Sequence, residues 1–318
     1  MTWRAGYRDR RVLLLGGSGF IGRWVGRRLA GSGADLHLVA RNPARAAALW
    51  AGLGVQGTLI EADLSRPGIA GEIVQSVRPS ITFNLAGYGI DPLEQDEMRA
   101  ERINHRLVAE LARAAGGQRD PEWAGQDLVH AGSAAEYGAA GGTLAEDTHP
   151  QPTSLYGRTK LAGTEAVVAA TGEGLLRGVA ARLFTVYGPG ERAGRLLPSL
   201  IEAARSRTEL PLTAGTQRRD FTYVEDVAEG LLRLGALAES TETPVNLATG
   251  RLETVRRFAE RAAVVLGLPV ERLRFGVLPG RQDEMVHEEV SVVRLRELCG
   301  WLPGTSIEEG VRRTIETA

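Results

Sequence analysis

The chain is poor in lysine, cysteine and aromatic residues, and each scarcity excludes something. Among 38 lysine and arginine residues in 318 positions, Lys160 is the only lysine. The single cysteine, Cys299, rules out a disulfide framework and reads as a buried structural thiol. With only five scattered histidines beside it, no metal-ligand spacing arises, and no metal is expected. The net charge is −1, because 39 acids offset the dispersed arginines. That balance offers nothing to a polyanion, so no nucleic-acid partner is expected. Long apolar runs are also missing. Arg4, Arg8, Arg10 and Arg11 precede Val12-Leu13-Leu14-Leu15 as in a secretory signal, but the run breaks at Gly16-Gly17. It is too short for a signal core or a membrane span, so no membrane partner and a cytoplasmic location are expected. Apolar residues at 43% and charged residues at 24% are ordinary for a globular chain long enough for one large or two smaller domains.

The solitary lysine stands four residues after a tyrosine, in Tyr156-Gly157-Arg158-Thr159-Lys160. Four residues make one helical turn, so the two side chains share a face. Lysine is a compact charge on a flexible stem, which the planar guanidinium of arginine cannot imitate. An adjacent ammonium stabilises an ionised phenol, which predicts a Tyr156 poised for proton transfer near neutral pH.

Short apolar runs at 12–15, 36–39, 58–60, 81–85, 128–131 and 179–183 read as buried parallel strands. Helix-period stretches at 21–29, 43–50, 67–76, 93–115 and 154–170 lie between them. This alternation predicts an α/β fold with a Rossmann-type doubly wound parallel sheet. Beyond residue 183 the elements shorten, although Val245-Asn246-Leu247 reads as one more strand returning to the sheet. The expected organisation is a dinucleotide-binding domain over 1–183, with 220–250 returning to it. A smaller, interleaved C-terminal region over 184–318 would mainly bind substrate.

Directly after the first strand comes Gly16-Gly17-Ser18-Gly19-Phe20-Ile21-Gly22, opening a helix. Glycines at 16, 19 and 22 allow a tight turn and let the backbone approach a pyrophosphate at the helix N-terminus. The second strand ends Leu38-Val39-Ala40-Arg41, without the acid that binds a ribose 2′-hydroxyl in NAD-specific proteins. Arg41 suits a 2′-phosphate instead, so NADP(H) is favoured and NAD(H) remains possible.

Together these segments resemble the extended short-chain dehydrogenase/reductases, the NAD-dependent epimerase/dehydratase family, especially its nucleotide-sugar members. The resemblance runs nearly end to end. It includes Asp63-Leu64, Asn84-Leu85-Ala86-Gly87, the helix segment beginning at Asn104, and Ser133-Ala134-Ala135-Glu136-Tyr137-Gly138. It continues through Arg182-Leu183-Phe184-Thr185-Val186-Tyr187-Gly188-Pro189-Gly190, Arg219-Asp220-Phe221-Thr222-Tyr223-Val224-Glu225-Asp226-Val227-Ala228 and Leu298-Cys299-Gly300-Trp301-Leu302-Pro303. The resemblance implies that Tyr156 is the acid/base, that Lys160 holds the nicotinamide ribose and tunes Tyr156, and that Ser133 bonds the reacting oxygen. Asn104 would hold a water linking Lys160 to solvent. Gly16, Gly19, Phe20, Ile21, Gly22, Asp63, Leu64, Leu85, Ala86 and Gly87 would contact the cofactor. Ser133, Ala134, Thr185, Arg219 and Arg281 would contact a nucleotide-diphosphate sugar.

Two positions depart from the family pattern: Thr185, where many relatives carry asparagine, and Glu136. That glutamate resembles one found in some 4-keto-6-deoxysugar reductases, while a structurally paired carboxylate fits equally. The fold does not choose a reaction. Sugar 4,6-dehydratases resemble one another in an acid/base pair after the catalytic hydroxyl, and here those positions are Ala134 and Ala135. Methyl groups move no protons, so dehydration recedes, and decarboxylation with it. The expected reaction is NADPH-dependent reduction of a nucleotide-linked 4-keto-6-deoxyhexose, in which Tyr156 protonates the new alkoxide. The alternatives are an NAD-dependent nucleotide-sugar 4-epimerase and a non-catalytic dinucleotide-sensing scaffold. The resemblance also implies a homodimer through the helices at 93–115 and 154–170. The stripe of Leu107, Leu111 and Ala115 would serve that contact or pack on the sheet.

Overall fold

Val12, Leu13, Leu14 and Leu15 are all fully buried, because their strand is covered on both faces. Val12 and Leu14 pack in one apolar cluster with Trp24, Val25 and Leu29; Leu13 and Leu15 pack in another with Ile73, Val74 and Leu111. A continuous apolar run without alternation is what a central parallel strand needs. The protein, seen here as a computed structural model, is described for residues 6–91, 93–239, 241, 243–280 and 285–317.

The first half runs β1 (Arg11–Leu15), α1 (Phe20–Gly31), β2 (Asp35–Ala40), α2 (Pro43–Gly52), β3 (Thr58–Glu61), α3 (Ile69–Val77) and β4 (Ile81–Asn84). Next, α4 (Glu97–Glu101) passes through a π-helical turn (Arg102–Arg106) into α5 (Leu107–Gly116). After β5 (Leu128–Ser133), β6 (Thr143–Leu144) and α6 (Leu155–Gly172) come β7 (Gly178–Leu183) and β8 (Thr185–Tyr187). Then follow α7 (Leu196–Ser206), β9 (Leu210–Leu212), β10 (Arg218–Tyr223), α8 (Val224–Gly235) and β11 (Val245–Leu247). The chain closes with β12 (Leu252–Thr254), α9 (Val255–Leu266), β13 (Leu273–Phe275), β14 (Glu289–Val290), α10 (Val293–Cys299) and α11 (Ile307–Thr317).

Seven strands form one sheet in the order β3-β2-β1-β4-β5-β7-β11, and every pairing is parallel. The order reverses between β1 and β4, which opens a crevice at their C-terminal ends where open α/β sheets bind ligands. After β10, the segment from α8 to β11 returns to this sheet. Its α8 packs against α1, and Arg28 bridges to Glu225 and Glu229 at 3.5 and 3.2 Å. A smaller sheet, β12-β10-β8, stands beside the large one.

Helix-period residues at 93–115 do not form one uniform helix. The helix begins at Glu97, because the Asp96 side chain accepts the Arg99 N–H at 3.1 Å and caps it. Upstream, Asp91 Oδ1 accepts the Leu93 N–H at 3.0 Å and Glu94 Oε2 accepts the Gly89 N–H at 2.8 Å, so local turns replace the helix. The π-helical turn carries Asn104, whose carbonyl oxygen would lie 2.1 Å from a Cβ on Gly163 of α6. Leu107, Leu111 and Ala115 face inward and join the core with Val74, Val77 and Leu128. That stripe therefore packs inside the molecule, which leaves other side chains, such as the 83% exposed Met98, on the outer face.

Candidate active site

The glycine turn is built so that only glycine fits. Gly16 has φ +74°, and a Cβ there would meet the Leu85 backbone at 2.6 Å. A Cβ on Gly22 would lie 2.1 Å from the Gly16 carbonyl oxygen. The turn presses the start of α1 onto the end of β4. Gly19, at the N-cap of α1, supplies no side-chain cap, and the first turn carries no acid. Its free N–H donors and positive dipole end suit a pyrophosphate, so the residues present fit a dinucleotide. Trp24 Nε1 donates to the Pro189 carbonyl at 2.9 Å and ties α1 to the loop after β8.

A cavity of about 330 Å³ opens at this crevice. It brings together Gly16, Gly19, Phe20, Ile21 and Gly22 with Leu85, Ala86 and Gly87 after β4. Ser133 at the end of β5 and Tyr156 and Lys160 on α6 also line it. Chain segments separated by more than a hundred residues thus converge on one site. Arg41, Asp63 and Leu64 follow β2 and β3 at the same edge of the sheet but do not line this cavity. Asp63 accepts the Ser65 N–H at 2.9 Å and its hydroxyl at 2.8 Å; these bonds, with Arg41 and Arg99 farther off, hold its carboxyl low.

Ser133 caps a short 3₁₀ turn. Its hydroxyl oxygen accepts the Ala135 N–H at 3.2 Å, while the Ser133 N–H donates to Glu136 Oε1 at 2.7 Å. Glu136 is fully buried. It also accepts from Thr164 Oγ1 at 3.0 Å and from Arg182 Nε at 2.9 Å. Arg182 in turn stacks on the Tyr137 ring at 4.4 Å. Glu136 is therefore the paired structural carboxylate that anchors the serine turn from beneath.

Tyr156 and Lys160 share a face of α6, but burial sets their protonation. The half-buried Tyr156 keeps its ring at the cavity, and burial of its hydroxyl pushes the phenol up to about 12; a hydrogen bond with Ser133 acts the other way. Lys160 is 3% exposed and is pushed down to about 8 by burial, opposed by Glu136. Its Nζ donates to the Ala131 carbonyl oxygen. The phenol thus lies above its usual range, contrary to the direction expected from a neighbouring ammonium. Desolvation dominates, and the Glu136 carboxylate adds to it.

Asn104 lies outside the cavity wall. Its Nδ2 donates to the Tyr88 carbonyl at 2.7 Å and to Thr159 Oγ1 at 2.9 Å, and its Oδ1 accepts the Tyr88 N–H at 2.9 Å. These bonds hold the loop after β4 against α6, a positioning arrangement.

A second cavity of about 380 Å³ adjoins the first and is lined by Thr185, Tyr187, Arg219, Phe221 and Phe258, among others. Arg219 Nη1 donates to the Arg218 carbonyl at 2.9 Å and the Met285 carbonyl at 3.3 Å. Ala134 sits in the 3₁₀ turn, partly exposed, and lines neither cavity. Arg281 lies outside the described residues. Sequence reasoning did not single out Glu191 and Arg195, which line both cavities. The available signal was their place just past Gly188-Pro189-Gly190.

The NAD-dependent epimerase/dehydratase family model matches residues 12–248, and the chain belongs to that family. It is 33% identical over 315 residues to a dTDP-6-deoxy-L-talose 4-dehydrogenase (NAD(P)(+)) of Kitasatospora kifunensis, covering 95% of this chain and 93% of that one. It is 24% identical over 344 residues to a dTDP-L-rhamnose 4-epimerase of Burkholderia thailandensis, with the same two coverages. Among solved structures, MoeE5 in complex with UDP-glucose and NAD superposes with a TM-score of 0.79 at 28% identity, over 96% of this chain and 97% of that one.

Proposed function

We propose that the protein reduces a nucleotide-linked 4-keto-6-deoxyhexose to its 4-hydroxy form with NADPH. The observation that carries this reading is the convergence of Ser133, Tyr156 and Lys160 on the cavity that begins at the glycine turn. The Kitasatospora relative supports it, because its name describes oxidation at C4 of a dTDP-linked 6-deoxyhexose. Run in reverse, that chemistry is reduction of a 4-ketone.

The dinucleotide, when bound, supplies the hydride. The protein's residues manage the proton and the oxygen. Tyr156, with a phenol that stays protonated at neutral pH, donates its proton to the oxygen of the reduced carbon, and Ser133 stabilises the charge developing there. Lys160, near its own midpoint at mildly alkaline pH, stands one turn away to hold the cofactor ribose and restore the proton. Arg219 and Thr185 receive the nucleotide diphosphate in the second cavity. Ala134 and Ala135 carry no proton-moving group, and Glu136 is engaged by Arg182, Thr164 and the Ser133 N–H, so the turn after Ser133 offers no acid/base pair for elimination of water. Arg41 and the absence of an acid at the end of β2 favour NADPH over NADH. A homodimer would form through the outer face of α4 and α6, where Met98 and Leu155 line a groove.

The test is NADPH consumption by the purified protein with dTDP-, GDP-, UDP- and CDP-linked 4-keto-6-deoxyhexoses. Turnover with at least one of them is expected, and Tyr156→Phe is expected to lose turnover by several orders of magnitude while still binding cofactor. Near-normal turnover of that variant sinks the mechanism. NAD that co-purifies with the protein and is recycled on a 4-hydroxy sugar would instead establish the epimerase reading, which the Burkholderia relative supports.

A further inference from the structure

Glu191 is a buried carboxylic acid to which the proposed reaction gives no task. Its side chain is 8% exposed, and its Oε1 stands 3.5 Å from Arg195 Nε, a long contact. Its Oε2 is buried and has no hydrogen-bond partner among the described residues. A buried oxygen left unsatisfied is unfavourable in the free protein, and a ligand that reaches it supplies the missing bond. Glu191 and Arg195 are the two residues common to the walls of both cavities, and Glu191 also borders a further cavity of about 730 Å³ beside α7 and α11. One cavity presents Ser133 and Tyr156, and the other presents Thr185 and Arg219.

A nucleotide sugar with its reacting carbon at Tyr156 and its diphosphate toward Arg219 has one part between them, the hexose ring. Burial pushes the Glu191 carboxyl up to about 7, with Arg195 opposing the shift. Near neutral pH a large share of the group is therefore a neutral acid, which both donates and accepts a hydrogen bond. A sugar hydroxyl does the same, whereas a phosphate offers only acceptors and is better met by arginine.

Resting on the nucleotide-sugar reading above, we infer that the Glu191 carboxyl turns Oε2 toward the substrate hexose and hydrogen-bonds one of its ring hydroxyls where the sugar passes between the two cavities, and thereby selects the hexose accepted. A site that hydrogen-bonds a hydroxyl rejects a ligand lacking it more strongly than an apolar pocket does, because its own polar group is left unpaired. Glu191 is in this sense a specificity-determining residue, distinct from the proton donor.

The test is calorimetric titration of wild type, Glu191→Gln and Glu191→Leu with dTDP, dTDP-6-deoxy-L-talose, UDP and UDP-glucose. The readout is the sugar increment, the ratio of the Kd for free nucleotide to that for the nucleotide sugar. Glu191→Leu is expected to lose about 10- to 100-fold of the increment, and Glu191→Gln, which keeps a donor and an acceptor, to stay within about 3-fold of wild type. Both variants should bind free nucleotide and NADPH as wild type does. An increment unchanged in Glu191→Leu, or equally lost in Glu191→Gln, overturns the inference, as does a wild-type increment near one for both sugars. Failure of the reductase reading registers separately, as no NADPH consumption with any 4-keto sugar while the increment and its dependence on Glu191 persist.

Discussion

Tyr156 and Lys160 illustrate how one pair of residues carries two electrostatic arguments of opposite sign. Their spacing places them on one helical face, where charge proximity alone would lower the phenol. Burial moves each group toward its neutral form instead, to about 12 for Tyr156 and about 8 for Lys160. The folded lysine thus lies below its ordinary value of 10.5, and between about pH 8 and 10.5 the unfolded chain binds more protons than the folded one. Stability contributed by this group rises with pH across that window. Urea denaturation at several pH values should show wild type gaining stability relative to Lys160→Met from pH 8 to 10, and parallel curves would refute the assignment. Glu136 makes a sharper case. In Glu136→Gln the Arg182 charge stays buried without its partner, at a cost of about 3–5 kcal/mol. Loss of the carboxylate beneath Ser133 should also lower kcat roughly 10-fold with little change in KM, because the serine turn loosens while the second cavity is untouched. Denaturant midpoints and steady-state rates check both parts.

At the scale of elements, helices brought unusually close together hold the site. Gly163 lets α6 approach the π-helical turn, and a methyl group there would sit 2.1 Å from the Asn104 carbonyl oxygen. Gly163→Ala should push the two helices apart and destabilise the fold by about 1–3 kcal/mol. It should also weaken turnover, since α6 carries both Tyr156 and Lys160; a variant with wild-type melting and rate would show that the contact yields freely. The glycine turn makes a parallel demand on the other wall. Gly22→Ala places a methyl group 2.1 Å from the Gly16 carbonyl oxygen, so fluorescence titration with NADPH should show affinity reduced at least about 100-fold, the equivalent of about 3 kcal/mol. The start of α4 shows the limit of periodicity. Residues 93–96 carry a helical pattern, yet the side chains of Asp91, Glu94 and Asp96 capture backbone N–H groups and move the helix start to Glu97. Leu93, the apolar residue that suggests an earlier start, is 89% exposed.

The whole molecule places two cavities side by side. The first cavity is formed by the β1–β4 crevice with β5 and α6, and the second by the smaller sheet and the elements around α7 and α9. The proposed preference for NADPH is testable at the end of β2, outside both cavities. Arg41 is exposed and free to meet a 2′-phosphate, so Arg41→Ala should raise the KM for NADPH about 10-fold and leave that for NADH nearly unchanged. Equal effects on both cofactors would remove the argument for NADP(H). Assembly is testable on the opposite surface. Met98→Arg puts a charge on the proposed dimer face without touching the core, and sedimentation should show dissociation to monomers if that face pairs. Among the described residues no helix is long and apolar enough to cross a membrane.

The sequence by itself determined the doubly wound sheet, because apolar runs such as Val12–Leu15 and the glycine turn are local signals set by backbone sterics and burial. It also pointed to Ser133, Tyr156 and Lys160, which sit in recognisable short motifs and meet at one cavity. It did not determine the role of Glu136, which depends on Arg182 and Thr164 arriving from β7 and α6. Nor did it determine the direction in which the Tyr156 phenol moves, because desolvation is a property of the assembled surroundings. Glu191 was invisible for the same reason. A glutamate after Gly188-Pro189-Gly190 is an ordinary loop acid until the tertiary structure buries it beside the two cavities and leaves one oxygen without a partner among the described residues.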